Sequence, residues 1–291
     1  MAVNATHIAA VVGAALLEDA PWGDATSELL IPADAVATAR LVAREPGVFS
    51  GGAVFVAAMT LTDDSIAVTL SVADGETFDA GTLLATVVGP ARGVLQAERV
   101  ALNFVQRMSG IATLTARYVA ETRGTRARIV DTRKTTPGLR ELERDAVRAG
   151  GGHNHRFSLS DAVMAKDNHL AVLTAGGRDL TTALLDVRAR LSHTTHLEVE
   201  VDRIDQIEAV LAAGVDTIML DNFSPEHLVE GVALVAGRAL IEASGGVNLE
   251  TVAAIAGTGV DIISVGALTH SVRSLDLGLD IDLGLDTDLA P

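Results

Sequence analysis

Short apolar runs alternate with helical segments through the second half of the chain, and six of these runs end on a polar or glycine-containing group. The six runs are residues 127–130, 162–165, 197–199, 217–220, 239–243 and 262–265. Strand-length runs that alternate with helices are typical of a parallel α/β barrel. The active site of such a barrel lies at the carboxyl ends of its strands, so we expect the groups that follow the runs to share one site.

The segments between the runs carry apolar residues at helical spacing, bounded by residues that start or stop helices. Asp179 is expected to cap a helix over residues 180–191. Pro225 begins another helix, which Gly237 can end. Asn248 is expected to open the last helix of the series.

The first 110 residues follow a different pattern. Five elements are predicted there and just beyond, at residues 8–20, 37–43, 66–72, 83–88 and 92–121. The first and last have helical spacing, and the three between them are strand-like. Near the other end of the chain, the alternation from Leu275 predicts one edge strand and then a frayed acidic tail.

Composition narrows the function classes. Of the residues, 48% are hydrophobic and 21% are charged, which is typical of a folded globular protein. No apolar run reaches the roughly 18 residues that span a bilayer, and the amino terminus does not resemble a secretory signal. The absence of cysteine excludes disulfides, thiolate metal sites and a thiol nucleophile. We therefore expect a cytoplasmic protein with no membrane partner.

The net charge of −16 argues against nucleic-acid binding, because no overall basic field attracts a phosphate backbone. The basic residues are nevertheless clustered, with nine of the 22 lysines and arginines between Arg123 and Arg156. Lys134 and Lys166 are the only lysines, and each follows a predicted strand. This distribution favours a small anionic ligand held in a pocket.

Two glycine groups follow the last two predicted strands. Ser244-Gly245-Gly246 ends one strand, and Val265-Gly266-Ala267 ends the next. Glycines allow backbone N–H groups to approach a phosphate, and phosphate sites of α/β barrels commonly lie on the last two strand–helix loops. A pair of tight turns is the alternative, and the pattern favours phosphate binding.

Two acids, Glu200 and Asp221, end consecutive predicted strands. They could be an acid/base pair, metal ligands, acceptors for sugar hydroxyls or members of a structural salt bridge. Glu198 shares the strand face of Glu200 but lies deeper in the barrel, so we expect it to form an ion pair.

The segment of residues 150–156 combines three glycines with His153, His155 and Arg156. It lacks the Gly-Lys-Ser/Thr ending of a nucleotide P-loop, and its histidines do not match the spacing of a zinc site. Guanidinium groups bind carboxylates in bidentate fashion, so a clamp for a planar dicarboxylate fits this loop better.

Taken in order, these motifs resemble the quinolinate phosphoribosyltransferase family over nearly the whole chain. The block Asp131-Thr132-Arg133-Lys134-Thr135 is the most specific part of the resemblance. The other shared motifs are Glu18-Asp19, Gly23-Asp24-Ala25-Thr26-Ser27, Glu98-Arg99, Ser109-Gly110-Ile111-Ala112-Thr113, Gly151-Gly152, Asn154-His155-Arg156, Lys166-Asp167-Asn168-His169, Glu198-Val199-Glu200-Val201-Asp202, Leu220-Asp221-Asn222, Ser244-Gly245-Gly246 and Val265-Gly266-Ala267-Leu268-Thr269-His270-Ser271.

The resemblance implies an α/β protein with an amino-terminal α/β sandwich domain at residues 1–110 and an incomplete, TIM-like parallel α/β barrel at residues 111–270. Residues 271–291 would return to the sandwich domain. The family's homodimer, or a hexamer built of dimers, would place one subunit's sandwich domain over the other's barrel mouth.

The resemblance also implies a reaction: the phosphoribosyl group of 5-phosphoribosyl-1-pyrophosphate passes to quinolinate with decarboxylation, which gives nicotinate mononucleotide for NAD biosynthesis. Magnesium would arrive with the substrate's diphosphate, and no metal would be bound by the protein itself. A relative that uses another acceptor would alter the carboxylate clamp. A sugar-phosphate sensor without activity would need neither Lys134 nor both acids.

Site residues follow from the resemblance, each with a role. The quinolinate carboxylates would be held by Arg133, His155, Arg156 and Lys166, with Arg99 reaching in from the neighbouring subunit. Lys134 and Lys166 would lie near the leaving diphosphate, and Glu200 and Asp221 would hold the ribose hydroxyls. Substrate would also contact Thr132, Ser244, Gly245, Gly246, Val265, Gly266 and Ala267, mainly through its 5′-phosphate. The catalytic residues would be Lys134, Lys166, Glu200 and Asp221.

Overall fold

The computed structural model describes residues 3–282, which belong to two compact units. Of the described residues, the first unit combines 3–116, 135–151 and 272–282, and the second combines 117–134 and 152–271. The predicted acidic tail, residues 283–291, lies outside the described residues. The predicted domain boundary at residue 110 stays a prediction.

The first unit is built around an antiparallel sheet. Up to residue 121 the chain forms α1 (Ala5–Asp19), α2 (Ala25–Leu30), β1 (Val36–Ala43), β2 (Gly47–Val48), α3 (Gly52–Thr62), β3 (Ala67–Leu70), β4 (Thr77–Phe78), β5 (Leu83–Pro90) and the long helix α4 (Ala91–Glu121). The strand order of the main sheet is β12-β1-β5-β3, where β12 is Leu277–Asp282. The predicted edge strand near Leu275 is therefore confirmed.

Alternation in β1 explains how this sheet buries one face. Ala37, Ala39, Leu41 and Ala43 are buried, while the residues that alternate with them are partly or fully exposed. This is the period of two that a half-buried strand requires. The alternation does not reveal α3, because that helix is apolar on nearly all sides and so lacks the amphipathic period of a surface helix. Phe55 and Met59 of α3 are fully buried.

The second unit is built around a six-stranded parallel sheet. After α4 the chain forms β6 (Arg128–Val130), α5 (Arg140–Ala149), β7 (Val163–Ala165), α6 (Asp167–Leu173), α7 (Leu180–Arg188), β8 (Leu197–Val201), a 3-10 turn (Ile204–Gln206), α8 (Ile207–Ala212), β9 (Thr217–Asp221), α9 (Pro225–Val235), β10 (Leu240–Ser244), α10 (Val252–Gly257), β11 (Ile262–Ser264) and α11 (Ala267–His270). Of these elements, α5 belongs to the first unit. The strand order is β6-β11-β10-β9-β8-β7. All six predicted strands are confirmed within two residues at either end.

This sheet is an incomplete barrel, because β6 and β7 lie at its two edges and do not pair with each other. The chain after α5 extends the sheet beyond β6, where His153 forms a parallel bridge to Val130. The side chain of Arg156 then donates to the carbonyl of Ala162, the residue before β7, at 2.9 Å. Residues 153–156 therefore lie along the open seam of the barrel.

Two of the three predicted helix starts in this unit are confirmed. Asp179 caps α7 by accepting from the Thr182 amide, and Pro225 is the first residue of α9. The third is wrong, because α10 begins at Val252 rather than at Asn248. The Asn248 side chain accepts from the amides of Glu250 and Thr251, so it closes a turn before the helix. Among the described residues, no helix is long and apolar enough to cross a bilayer.

An ion pair within the first unit holds the segment that follows the barrel. Arg273 forms a bidentate pair with Glu45, and the Asp276 amide donates to the same carboxylate at 2.8 Å. These hydrogen bonds lower the pKa of Glu45 to about 2. A carboxylate with a lowered pKa stabilises the folded state above its unfolded pKa, and that contribution is lost as the pH falls through the folded value.

Replacement of Glu45 by Gln should therefore lower the free energy of unfolding by about 1 kcal/mol at neutral pH, because the pair is partly exposed and screened. The difference between wild type and E45Q should shrink as the pH falls from about 4.5 to about 2. Denaturant unfolding across this pH range measures it. The matched control is Glu18→Gln at an exposed position of α1. An E45Q deficit that persists unchanged to pH 2 would contradict this assignment.

Candidate active site at the carboxyl ends of the barrel strands

A cavity of about 550 Å³ opens at the carboxyl ends of the barrel strands. Eleven of the predicted site residues line it: Thr132, Arg133, Lys134, His155, Arg156, Lys166, Glu200, Asp221, Ser244, Gly245 and Gly246. These residues come from five strand ends and from residues 153–156, which we call the seam loop. Residues more than a hundred positions apart therefore meet in one pocket. This is the arrangement expected of a barrel active site.

Asp131 attaches the seam loop to the end of β6. Its side chain is fully buried, and it accepts from the Asn154 amide group at 2.6 Å and from the His155 backbone N–H at 2.7 Å. A carboxylate that accepts several N–H groups is stabilised by them in a buried position. Asp131 therefore sets the position from which His155 and Arg156 reach the cavity.

Two guanidinium groups converge on this side of the cavity. The pKa of Arg156 is lowered by burial and, after that, by the positive charge of Arg133 nearby. Two like charges at one wall of a cavity repel each other, and an anion between them would relieve that repulsion. Planar carboxylates suit such a site because a guanidinium can donate two parallel hydrogen bonds.

The two lysines occupy different positions around the mouth. Lys166 follows β7 and donates to Glu200 at the end of β8, with 2.5 Å between Nζ and Oε2. Lys134 is exposed, but its backbone is held because its carbonyl accepts from the Thr269 hydroxyl at 2.8 Å. One ammonium is thus paired with an acid, and the other belongs to an exposed residue of the cavity lining.

Beneath the mouth lies a buried cluster of three ionisable side chains. His155 Nε2 lies 3.2 Å from Glu198 Oε2 and 3.4 Å from Glu242 Oε2. The ion pair expected for Glu198 is confirmed. Burial would lower the pKa of His155, but the hydrogen bonds and charges of the two carboxylates raise it to about 10. Burial is also the main reason that the pKa of Glu198 is raised.

The same three side chains are close enough to be considered as metal ligands, since their ligand atoms lie within 4.8 Å of one another. The hydrogen bonds between them account for that proximity without an ion. The expectation that the protein itself binds no metal stays a prediction.

A glycine turn after β10 forms the opposite wall. Gly245 and Gly246 both have positive φ, at 88° and 61°. A Cβ on Gly245 would overlap the side chain of Asn222, whereas a Cβ on Gly246 would meet open space. Asn222 itself has φ 59° and donates from its backbone to the Ser244 carbonyl at 2.8 Å. The backbone of the turn is therefore accessible from the cavity and supported by Asn222 from behind.

Four predicted site residues do not line this cavity. Val265, Gly266 and Ala267 follow β11, and the Val265 amide donates to the Val130 carbonyl at 3.0 Å. Gly266 packs against the Lys134 side chain, where a Cβ would lie 3.1 Å from Cδ. Arg99 is exposed on α4 in the first unit. The roles expected for these four residues stay predictions.

Five residues that line the cavity were not predicted: Met164, Met219, Asn222, Glu242 and Ser264. Alternation along β10 could have indicated Glu242, which lies two residues before Ser244 and so faces the same side. Met219 bears the same relation to Asp221. No signal in the sequence distinguishes Ser264 from an ordinary strand residue.

Comparison with known proteins gives one consistent family. The family models for quinolinate phosphoribosyl transferase match this chain over residues 24–109 (N-terminal domain) and 111–280 (C-terminal domain). The chain is 47% identical to a nicotinate-nucleotide pyrophosphorylase [carboxylating] of Mycobacterium leprae, over 92% of this chain and 94% of that protein. It is 42% identical to a probable nicotinate-nucleotide pyrophosphorylase [carboxylating] of Bacillus subtilis, over 91% and 90% of the two chains.

A solved structure gives the same picture. The nicotinate-nucleotide pyrophosphorylase of Francisella tularensis superposes with a TM-score of 0.90 and 34% sequence identity, covering 97% of this chain and 98% of that chain. The similarity therefore extends over both units.

The glycine turn can be tested by two matched substitutions. Gly245→Ala and Gly246→Ala both place an alanine at positive φ, which costs about 1–2 kcal/mol each. Only Gly245→Ala also displaces Asn222, so its melting temperature should fall several degrees further, and it should bind inorganic phosphate more weakly. Thermal unfolding and calorimetric titration measure the two effects. Equal losses in both variants would show that Asn222 does not support the turn.

Proposed function

The chain belongs to the quinolinate phosphoribosyltransferase family, and from that premise we propose how its barrel cavity performs the family's reaction. The protein is a pentosyltransferase of NAD biosynthesis. It transfers the phosphoribosyl group of 5-phosphoribosyl-1-pyrophosphate to quinolinate and releases pyrophosphate and carbon dioxide. Nicotinate mononucleotide is the product.

One observation carries the assignment of this reaction to the cavity: an anion-binding wall with Arg133, Arg156 and Lys166 faces a glycine turn across a single pocket. A dicarboxylate fits the first and a phosphate fits the second. The two acids between them, Glu200 and Asp221, are suited to accept hydrogen bonds from ribose hydroxyls. The substrate pair of this reaction carries all three kinds of group.

The reaction begins when the pyridine nitrogen of quinolinate attacks the anomeric carbon and the diphosphate leaves. The transition state develops positive charge on the ribose ring. Glu200 and Asp221 stabilise that charge electrostatically while they orient the sugar. Lys134 neutralises the departing diphosphate, and magnesium enters and leaves with that diphosphate as part of the substrate.

Decarboxylation follows because the ring nitrogen has become cationic. The bond between C2 and its carboxylate breaks, and the electron pair left on C2 is stabilised by the adjacent pyridinium. A proton then takes the place of carbon dioxide at C2. Arg133, Arg156 and Lys166 hold the carboxylates through the first step, so that the ring is in line with the anomeric carbon.

A homodimer, or a hexamer built of dimers, is part of the proposal. In that assembly Arg99 on α4 of one subunit would reach the quinolinate of its neighbour, and the covering domain would exclude water from the cationic transition state. The exposure of Arg99 supports this role, since its side chain is available to a neighbouring subunit. The cytoplasmic location stays a prediction.

Purified protein should release pyrophosphate only when quinolinate and phosphoribosyl pyrophosphate are both present. Nicotinate lacks the 2-carboxylate, so it should be a poor acceptor. Arg133→Ala should raise the KM for quinolinate about tenfold or more and leave that for phosphoribosyl pyrophosphate nearly unchanged, because a charge-assisted hydrogen bond contributes about 1.5–3 kcal/mol. Steady-state kinetics measures both constants. Arg238→Ala, an exposed arginine on the outer side of the unit, is the control. Efficient turnover of nicotinate by the wild type would contradict the proposal that Arg133, Arg156 and Lys166 bind the 2-carboxylate.

The two acids can be distinguished from metal ligands. Glu200→Gln and Asp221→Asn should each lower kcat about a hundredfold, because the neutral side chains no longer stabilise the cationic transition state. The magnesium concentration for half-maximal rate should not change, since the ion is bound to the diphosphate. A magnesium titration of both variants, with the exposed Glu208→Gln as control, tests this. A large rise in the magnesium requirement would make the acids metal ligands.

A further inference from the structure

The backbone of Lys134 is held on both sides, although Lys134 belongs to no helix or strand. Residues 131–136 all lie outside the regular elements. The Lys134 N–H donates to the Thr132 hydroxyl at 3.1 Å, and the Lys134 carbonyl accepts from the Thr269 hydroxyl at 2.8 Å. Because no helix or sheet holds this segment, these side-chain hydroxyls determine where the Lys134 backbone lies.

Thr269 is the partner that comes from outside the loop. It is fully buried on α11, 135 positions from Lys134 in the chain. Its hydroxyl also lies 3.4 Å from the carbonyl of Gly266, one turn back along the chain. A hydroxyl has one hydrogen to donate, and the shorter contact is the one with Lys134. A buried hydroxyl of α11 is therefore directed at a residue that lines the active-site cavity.

Gly266 gives a second, independent observation. Its φ is −65°, in the right-handed helical region, so its backbone conformation does not require glycine. A Cβ on Gly266 would nevertheless lie 3.1 Å from Lys134 Cδ and 3.0 Å from His270 Nε2. Both distances are shorter than an ordinary van der Waals contact. The absence of a side chain on Gly266 therefore leaves the space in which the Lys134 side chain lies.

We propose that Thr269 and Gly266 are positioning residues for Lys134. Thr269 acts through the Lys134 carbonyl, and Gly266 acts through the space that it leaves for the Lys134 side chain. The inference rests on the function proposed above, in which Lys134 neutralises the departing diphosphate. The backbone of Gly266 stays available to a phosphate, because this role uses only its missing side chain.

The sheet explains how the two segments come together. Lys134 lies in the loop after β6, and Gly266 and Thr269 lie just after β11. The two strands are neighbours and run parallel, with Val130 paired to Ser264. Their carboxyl ends therefore lie side by side, so the segment after one strand can hold a residue that follows the other.

A lysine needs such support if its charge is to act at a fixed place. Its ammonium ends a flexible stem, so the charge is poorly localised unless the stem is held. The hydrogen bond from Thr269 fixes the point where the side chain begins, and the contact with Gly266 restricts its path at Cδ. The loss of side-chain entropy then occurs during folding rather than during the reaction.

Two substitutions of Thr269 separate its hydroxyl from its packing. Thr269→Val keeps the shape but removes the hydroxyl, so kcat should fall about tenfold while the KM for quinolinate changes less than twofold. Thr269→Ser keeps the hydroxyl, so kcat should stay within about threefold of the wild type. Steady-state kinetics on variants shown to be folded by circular dichroism measures both. Equal kcat values for the valine and serine variants would overturn the proposal.

Thr115→Val is the matched control for these variants. Thr115 is also fully buried in a helix, but its hydroxyl donates to the Ile111 carbonyl of the same helix at 2.8 Å. Loss of this hydroxyl should lower the melting temperature and leave kcat unchanged. A fall in kcat equal to that of Thr269→Val would show that any buried hydroxyl has this effect, and the proposal would be wrong.

Double substitutions test whether both residues act through Lys134. Gly266→Ala should lower kcat severalfold, since alanine accepts the backbone conformation but its Cβ crowds the Lys134 side chain. In a Lys134→Ala background, neither Thr269→Val nor Gly266→Ala should cause a further loss of kcat, because the group that they position is gone. Losses that add to that of Lys134→Ala would place the effect elsewhere and overturn the proposal.

A measurement without substrate uses the fact that the chain has only two lysines, Lys134 and Lys166. Protein labelled with ¹³Cε-lysine should give two signals, and Lys134→Ala identifies the first. Thr269→Val should shift the Lys134 signal and leave that of Lys166 in place, whereas Thr269→Ser should shift neither. An unchanged Lys134 signal in the valine variant, or an equal shift of both signals, would overturn the proposal. Failure of the wild type to use quinolinate would overturn the proposed function and leave this result standing.

Discussion

The site depends on the way in which two buried glutamates are neutralised. Glu198 and Glu242 project into the interior of the parallel sheet, where an unpaired carboxylate would cost several kcal/mol. His155 is the group that reaches them, and it does so from a loop rather than from a strand. The requirement to pair these acids therefore holds the seam loop in the barrel and places Arg156 at its mouth.

The incomplete barrel makes this arrangement possible. A closed eight-stranded barrel fills its interior with strand side chains, so no loop could enter between two strands. Here β6 and β7 remain unpaired with each other, and residues 153–156 run between them. Because β6 and β7 form no ladder of hydrogen bonds with each other, the imidazole of His155 and the guanidinium of Arg156 can lie between them.

Charge is arranged in layers along the cavity. The buried cluster is acidic, the wall above it carries Arg133 and Arg156, and the mouth holds the Lys166–Glu200 pair. The cations at the wall are attracted by the acids below. The pKa of Arg156 is lowered by burial and, after that, by the charge of Arg133. An anionic substrate completes this arrangement from the open side. The same layering gives an acidic protein a pocket with a cationic wall.

The sequence by itself determined the six parallel strands, the edge strand near Leu277 and most of the residues that line the cavity. These follow from local properties: the period of apolar residues within each strand, and the polar groups that must follow strands whose ends meet at one face. The sequence pattern did not predict α3, whose uniformly apolar sequence has no helical period. It also placed the start of α10 at Asn248, whose side chain closes a turn before that helix.

Only the tertiary structure decided which charged residues are partners. The sequence places His155 in a loop and Glu242 in a strand, and nothing local relates two residues that are 87 positions apart (155 and 242). Their contact depends on the order in which the strands lie in the sheet and on the seam that admits the loop. Hydrogen bonds within the interior then decide that His155 faces two carboxylates. Local pattern fixes which residues face inward, but the closure of the sheet determines which of them meet.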